Sequence, residues 1–348
     1  MIPAASSVYD VIGGYILPAS IPLLLLKCDI RKIGRESGRL LIAFLIGSAA
    51  TTCGAILSYV IFHKYIPELS GLAGAFTGTY TGGSANFAAI VSSFDVSPTM
   101  QSAALVADNL LGTIYLCVLL AIPSIAFFRK HYAHPYIDKV ELNNSGEEGM
   151  TLAAAYWKPK EISLKDIIYA LAVAFVIVCL SENLAALLEN IIPMSNVILE
   201  LLNTLLSNTW VWLATLTMLF ATAAPGFVSN INGAQELGTL AIYLFFFTIG
   251  APSSFVEIVK NAPLLFLFAG LIIIVNLVLC FAIGKVLHLN LEEILIASNA
   301  NIGGPSTACA MAISKGWGEL IGPGILVGTL GYVVGTYLGI TIGLLLGA

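Results

Sequence analysis

Apolar runs long enough to cross a bilayer follow one another through almost the whole chain. A span needs about 20 mainly apolar residues at a rise of about 1.5 Å each. Such runs lie at about 8–26, 39–62, 68–94, 99–128, 165–188, 197–222, 236–256, 262–287, 291–313 and 319–346. Backbone amides in hydrocarbon must be paired within helices or closed barrels, and continuous runs such as 264–274 exclude the alternating strands of a barrel. The pattern therefore predicts an all-α membrane protein of about ten transmembrane segments.

Composition sharpens this reading. The 348 residues are 58% hydrophobic and 10% charged, with a mean hydropathy of +0.93, whereas soluble domains carry about 25% charged residues. A multi-pass place in the cell (inner) membrane follows, with lipids as surroundings and no nucleic-acid partner. Met1 leads into a neutral stretch without the basic start or cleavage site of a signal peptide. The six cysteines show no CxxC pair, which argues against a metal site or a disulfide framework.

Polar positions then divide the chain. Residues 27–39 (KCDIRKIGRESGR) hold five of the 15 Lys and Arg, which places this loop in the cytoplasm. Residues 129–164 carry ten charges and read as a polar linker between a first repeat, 1–128, and a second, 165–348. Laying Gly82-Gly83 over Gly303-Gly304, an offset of 221, aligns TGTYTGGSANFAAI with SNANIGGPSTACAM and Lys64 with Lys285. With a two-residue slip, GTIYL falls on GTYLG. Internal duplication of this kind is a transporter signature. The topology does not close, however. Five spans between the broken segments would make two full crossings parallel, where inverted repeats need an even number, and 165–222, which Pro193 interrupts, is the first place to look for a miscount.

The broken segments carry the candidate chemistry. Adjacent glycines cost about 1 kcal/mol each in a helix and proline about 3, so 68–94 should unwind near Gly82-Gly83 and 291–313 near Gly303-Gly304-Pro305. Unwound backbone is tolerated in a bilayer only when buried in protein or lining a wet cavity. Its half-helix N-termini attract anions and its free carbonyls attract cations. A helix-packing surface would also concentrate small residues, but it does not call for Asn299 and Asn301 beside one break, or Tyr80 and Asn86 beside the other. Asp108-Asn109 puts a carboxylate inside an apolar run, where it is costly unless paired or facing a cavity. Capping a neighbouring helix is the bland alternative. Glu182 and Glu200 lie away from the motifs, and Glu236 suits a helix N-terminus as well as a functional role. The four histidines fall in loops or at span ends, which weakens a reading as an intramembrane enzyme. Pro18 and Pro22 should kink the first span.

TGTYTGGSANF, the Asp108-Asn109 pair and ASNANIGGPSTACAMA, with LPASIPLLLLKCDIRKI and ELGTLAIYLFFFTIGA, resemble the YjcL-like family of uncharacterised integral membrane proteins across nearly the whole chain. That family is grouped with the cation:proton antiporter and anion transporter superfamily. The resemblance implies inverted repeats, two discontinuous crossing helices and a core beside a panel domain, as in bile-acid-type sodium symporters. In the superfamily's antiporters, the helix after the first crossing helix carries an acidic or Asn-Asp pair that binds the cation. Here the order is reversed. Against the family's usual pattern, this chain starts one or two helices late, as a short member or an incomplete segment would.

Together these readings give a sodium- or proton-coupled secondary transporter, not an enzyme, moving a small organic solute that carries a carboxylate. Asp108, Asn109, Thr81, Asn86, Asn299 and Asn301 are the candidate cation ligands, with Na⁺ as a candidate coupling ion and no other metal or cofactor. Tyr80, Gly82, Gly83, Ser84, Gly303, Gly304, Ser306 and Thr307 are the candidate solute contacts. A cation antiporter without an organic solute is the alternative, and a homodimer is compatible with the sequence.

Overall fold

The computed structural model describes residues 6–94, 96–143, 161–193, 197–251 and 255–348, and all regular structure among them is helical. Helix α1 (Ser7–Leu25) contains a π turn at Ile12–Ile16, where the Leu17 amide reaches back to the Ile12 carbonyl. Pro18 follows at once, and its ring and missing N–H disturb the turn before it. A short helix α2 (Ile30–Glu36) is capped by Asp29, which accepts from the Arg31 amide at 2.9 Å. Helix α3 (Gly38–Phe62) then runs for 25 residues.

The 68–94 segment forms α4 (Leu69–Gly82) and α5 (Ser84–Val91), and α6 (Pro98–Ala121) continues through a 3₁₀ turn to Ser124. Beyond it, α7 (Ala126–His131) and α8 (Pro135–Asn143) occupy the first part of the stretch expected to be a solvated linker. Residues 126–143 are tied down: the Leu291 amide donates to the Ala133 carbonyl at 2.8 Å, and the Ile137 amide to Glu292 at 2.8 Å. Most of the remaining linker, 144–160, lies outside the described residues.

The second part of the chain holds α9 (Leu164–Ile191), α10 (Val197–Leu206), α11 (Thr209–Ala223), α12 (Pro225–Ser229), α13 (Ala234–Gly250), α14 (Phe255–Val286), α15 (Leu291–Ser314) and α16 (Gly318–Leu345). Among the described residues six helices are long and apolar enough to cross a membrane: α1, α3, Pro98–Ser124, α9, Ile258–Val286 and α16; α11 and α13 are shorter apolar helices. The run 197–222, expected as one span, is two helices. Asn208 ends the first and caps the second by accepting from the Trp210 amide at 3.0 Å, as a side chain that competes for backbone donors should.

Two groups of helices emerge. Helix α1, whose residues 17–25 are all buried, packs among α9, α11 and α13. In the other group α3 packs on α14 and α15, and α4 and α15 pack on α16. Polar contacts mark the two ends of the second group. At one end Arg39 pairs with Glu293 at 3.4 Å and donates to the His288 carbonyl. At the other the Tyr59 hydroxyl donates to the Leu346 carbonyl at 3.1 Å, and the Glu68 carboxylate accepts from the Ser97 amide at 2.6 Å.

Candidate functional site

The chain leaves helical geometry where the paired glycines stand. Gly83 separates α4 from α5 with φ 92° and ψ 173°, and Gly304 interrupts α15 with φ 79° and ψ −172°. This region of backbone space is essentially reserved for glycine. At the first break the Gly83 amide closes α4 on the Thr79 carbonyl at 2.7 Å, and the Asn86 amide opens α5 on the Gly83 carbonyl at 3.1 Å. At the second, Pro305 begins the new helical piece, where its missing donor costs nothing.

Each segment folds back on itself at its break. Asn86 Nδ2 donates to the Gly78 carbonyl at 3.1 Å, and Ile90 packs beside Gly78. In α15, Asn299 Nδ2 lies 3.3 Å from both the Thr307 carbonyl and Met311 Sδ, although twelve residues of straight helix would set 299 and 311 about 18 Å apart. Both ends of each segment consequently stay together. Glu68, before α4, binds the amide of Ser97, before α6. Glu292 at the start of α15 and Glu319 at the start of α16 both bind α8, through Ile137 and Lys139.

The two breaks meet. A Cβ placed on Gly83 would stand 3.4 Å from Gly304 Cα, an ordinary contact. Around this junction Ser84, Gly303 and Ser306 are exposed, Thr307 is half-buried with its hydroxyl on the Gly304 carbonyl at 3.1 Å, and Gly82 and Gly304 are buried. Helix α16 backs the junction, with Gly331 against Gly82 and the Tyr332 hydroxyl near Gly304.

Behind the junction lies a buried polar layer. Thr79, Tyr80 and Thr81 are buried, and their hydroxyls have no hydrogen-bond partner. Asp108 is buried on α6 beside the Tyr80 hydroxyl, without a hydrogen bond of normal geometry between them. Asn109 is turned away: it is exposed and donates to the Leu105 carbonyl of its own helix at 2.9 Å. Adjacent helical residues point about 100° apart, and here Asp108 is buried while Asn109 is exposed, so the two side chains do not face one place.

Asn86 and Asn301 are engaged in packing. Asn86 also donates to the Gly331 carbonyl and accepts from Thr336, both at 3.1 Å. The Asn301 amide meets Ser48 Oγ at 3.1 Å with the Thr81 carbonyl 3.3 Å away. Glu182 is exposed on α9, away from the breaks, and the side chain of Glu200 lies outside the described residues.

The structure adds residues that the sequence reading did not single out: Thr51, Tyr115, Asn276 and Tyr332. Asn276 is fully buried in the most apolar span, where a lone amide in IIIVNLVLC was the available signal.

Residues 1–348 match the family described as Protein of unknown function (DUF819). The chain belongs to this family. Within it, the chain is 43% identical to the Uncharacterized membrane protein YjcL of Bacillus subtilis (strain 168) over 344 residues, 99% of this chain and 85% of that protein. With its six long apolar helices, this DUF819 member is a multi-pass membrane protein.

Proposed function

We propose that this protein is a secondary transporter, coupled to sodium or protons, that moves a small organic solute carrying a carboxylate. The observation that carries the reading is the meeting of two helix breaks, one from each part of the chain, at Gly83 and Gly304. The second pieces of both segments begin there, so two helix N-termini and their unpaired amides converge on one place, which favours an anion. The exposed hydroxyls of Ser84 and Ser306 flank it. The last carbonyls of the first pieces lie at the same junction and suit a cation.

An inverted repeat accounts for the topology. Gly83 and Gly304 are 221 residues apart, as are Asn86 and Thr307, Gly78 and Asn299, and Ile90 and Met311, and across each break the first residue of the set meets its partners at corresponding positions: Gly78 with Asn86 and Ile90, Asn299 with Thr307 and Met311. On this reading the segments are re-entrant hairpins that enter from opposite faces and do not cross. The spans between them are α6, α9, α11, α13 and α14. An odd number of crossings puts the hairpin mouths on opposite faces, which removes the conflict met in the sequence without any miscount around 165–222. It also leaves 27–39 and 126–143 on one face, the cytoplasmic one by their positive charge. Helices α1, α9, α11 and α13 form the panel against which the hairpin-bearing core moves to give alternating access.

Asp108 and Tyr80 form the coupling site. An aspartate at the centre of a membrane helix costs about 2.5–3.5 kcal/mol, and a bound proton or cation relieves that cost. The test is thermal unfolding of Asp108→Asn in detergent, with and without Na⁺ and across pH. Ion at 100 times its Kd stabilises wild type by about 2.7 kcal/mol. The variant should fold yet lose that response, and a variant that responds as wild type does would exclude Asp108. Proteoliposome counterflow separates the alternative, a cation antiporter, by its independence from any organic solute.

A further inference from the structure

Asn276 of α14 uses all four of its hydrogen bonds: two with α3, which leads into the first hairpin, one with α15, which forms the second, and one within its own helix. Its Nδ2 donates to the Gly47 carbonyl at 2.8 Å and to Thr51 Oγ1 at 2.9 Å, both on α3. Its Oδ1 accepts from Ser298 Oγ of α15 at 3.1 Å and from Cys280 Sγ one turn along α14. An amide has two donors and two principal acceptor positions, so the side chain is saturated and its orientation fixed.

The bonds continue past it in both directions. Thr51 Oγ1 donates to the Tyr80 carbonyl at 2.8 Å, and Tyr80 carries the hydroxyl that faces Asp108. On the other side Ser298 Oγ, already donating to Asn276, accepts from the Tyr115 hydroxyl. Tyr115 stands seven residues from Asp108 on the buried face of α6, two helical turns away. The result is a buried circuit from Tyr80 through Thr51, Asn276 and Ser298 to Tyr115, closed by α6 itself. Each of Thr51, Asn276 and Ser298 is at most 1% exposed.

We infer that Asn276 is a positioning residue that couples ion occupancy at Asp108 and Tyr80 to the second hairpin. This rests on the proposed coupling site. Asn276 touches neither the Asp108 carboxylate nor the Gly83–Gly304 junction; it acts through Thr51 on the backbone that carries Tyr80 and through Ser298 on the first piece of α15. Any shift of Tyr80 toward an ion moves its carbonyl, and the strained bond is transmitted along groups that have no spare partner. Saturated buried networks respond as units, because an unmade bond in low dielectric is expensive.

Hydrogen exchange of the purified protein in lipid nanodiscs tests this, with NaCl exchanged for choline chloride and, separately, with a step in pH. In wild type, ion or proton binding should slow exchange in both 69–91 and 291–314. In Asn276→Leu the slowing should persist in 69–91 and be lost in 291–314, a separation that general destabilisation does not produce. Thr51→Val and Ser298→Ala, which each remove one hydroxyl, should show the same split and carry the test if Asn276→Leu does not fold. Slowing of both segments in the folded variants would overturn the coupling role. Slowing of 69–91 alone in wild type would also overturn it while leaving the ion site standing. No response in either wild-type segment would overturn the ion site and the coupling together.

Discussion

Gly83 and Gly304 show how far single residues decide this architecture. Both hold φ near +80° to +90° with ψ near 180°, where a Cβ costs about 1–3 kcal/mol. Space is not the obstacle at Gly83, since its nearest neighbour would sit at 3.4 Å. Gly83→Ala should therefore lower stability by about 1–3 kcal/mol through backbone strain, measurable as a lower midpoint in thermal unfolding, and should abolish transport if the break is the binding site. An unchanged midpoint would mean that the loop relaxes into another conformation. These two glycines and Asp108 were legible in the sequence because each breaks a rule of its surroundings. Asn109 faces away from buried Asp108, because adjacency in the chain is divergence on a helix. Asn276 breaks the same rule as Asp108, a polar group in an apolar run, but lies outside the glycine motifs that mark the site in the sequence.

At the scale of elements, the close approach of α4 and α16 holds the first break in place. Gly74, Gly78 and Gly82 on α4 face Gly331, Gly335 and Gly339 on α16, and a Cβ on Gly331 would stand 2.8 Å from Gly82 Cα and from the Thr81 carbonyl. Both obstacles are backbone, so Gly331→Ala must push the helices apart at a cost of about 1–3 kcal/mol. The control lies on the same helix: Gly322 has nothing within 4 Å of its would-be Cβ, and Gly322→Ala should be neutral or stabilise by up to about 1 kcal/mol. Equal effects in a denaturation series would remove the packing argument. Glycines at intervals of four in α16 announce such a surface to anyone reading for it. Span positions were legible because hydropathy reports burial in lipid or protein. The split at Asn208 and the helical 126–143 were not, since a short cap and a docked amphipathic segment leave the average composition of a run unchanged.

The arrangement of the whole molecule was the least legible property, because hydropathy does not distinguish a segment that crosses from one that enters and returns. Both possibilities need the same number of apolar residues and the same glycine break. What separates them is where the ends lie, and here they are held by long-range contacts: Glu68 with Ser97, and Glu292 and Glu319 with α8. Thiol labelling in oriented vesicles reads this directly. In a background with the six native cysteines replaced, Tyr65→Cys and Ser92→Cys flank the first hairpin at exposed positions, and Leu287→Cys and Ser314→Cys flank the second. Re-entrant hairpins require the first two to react with an impermeant maleimide from one face and the second two from the opposite face, with Lys139→Cys reacting alongside the second pair. Two crossing helices would instead split each pair between the faces. A split pair would refute the opposed-hairpin topology even if the glycine breaks remained; the convergence of two helix N-termini would then stand on the meeting of Gly83 and Gly304 alone.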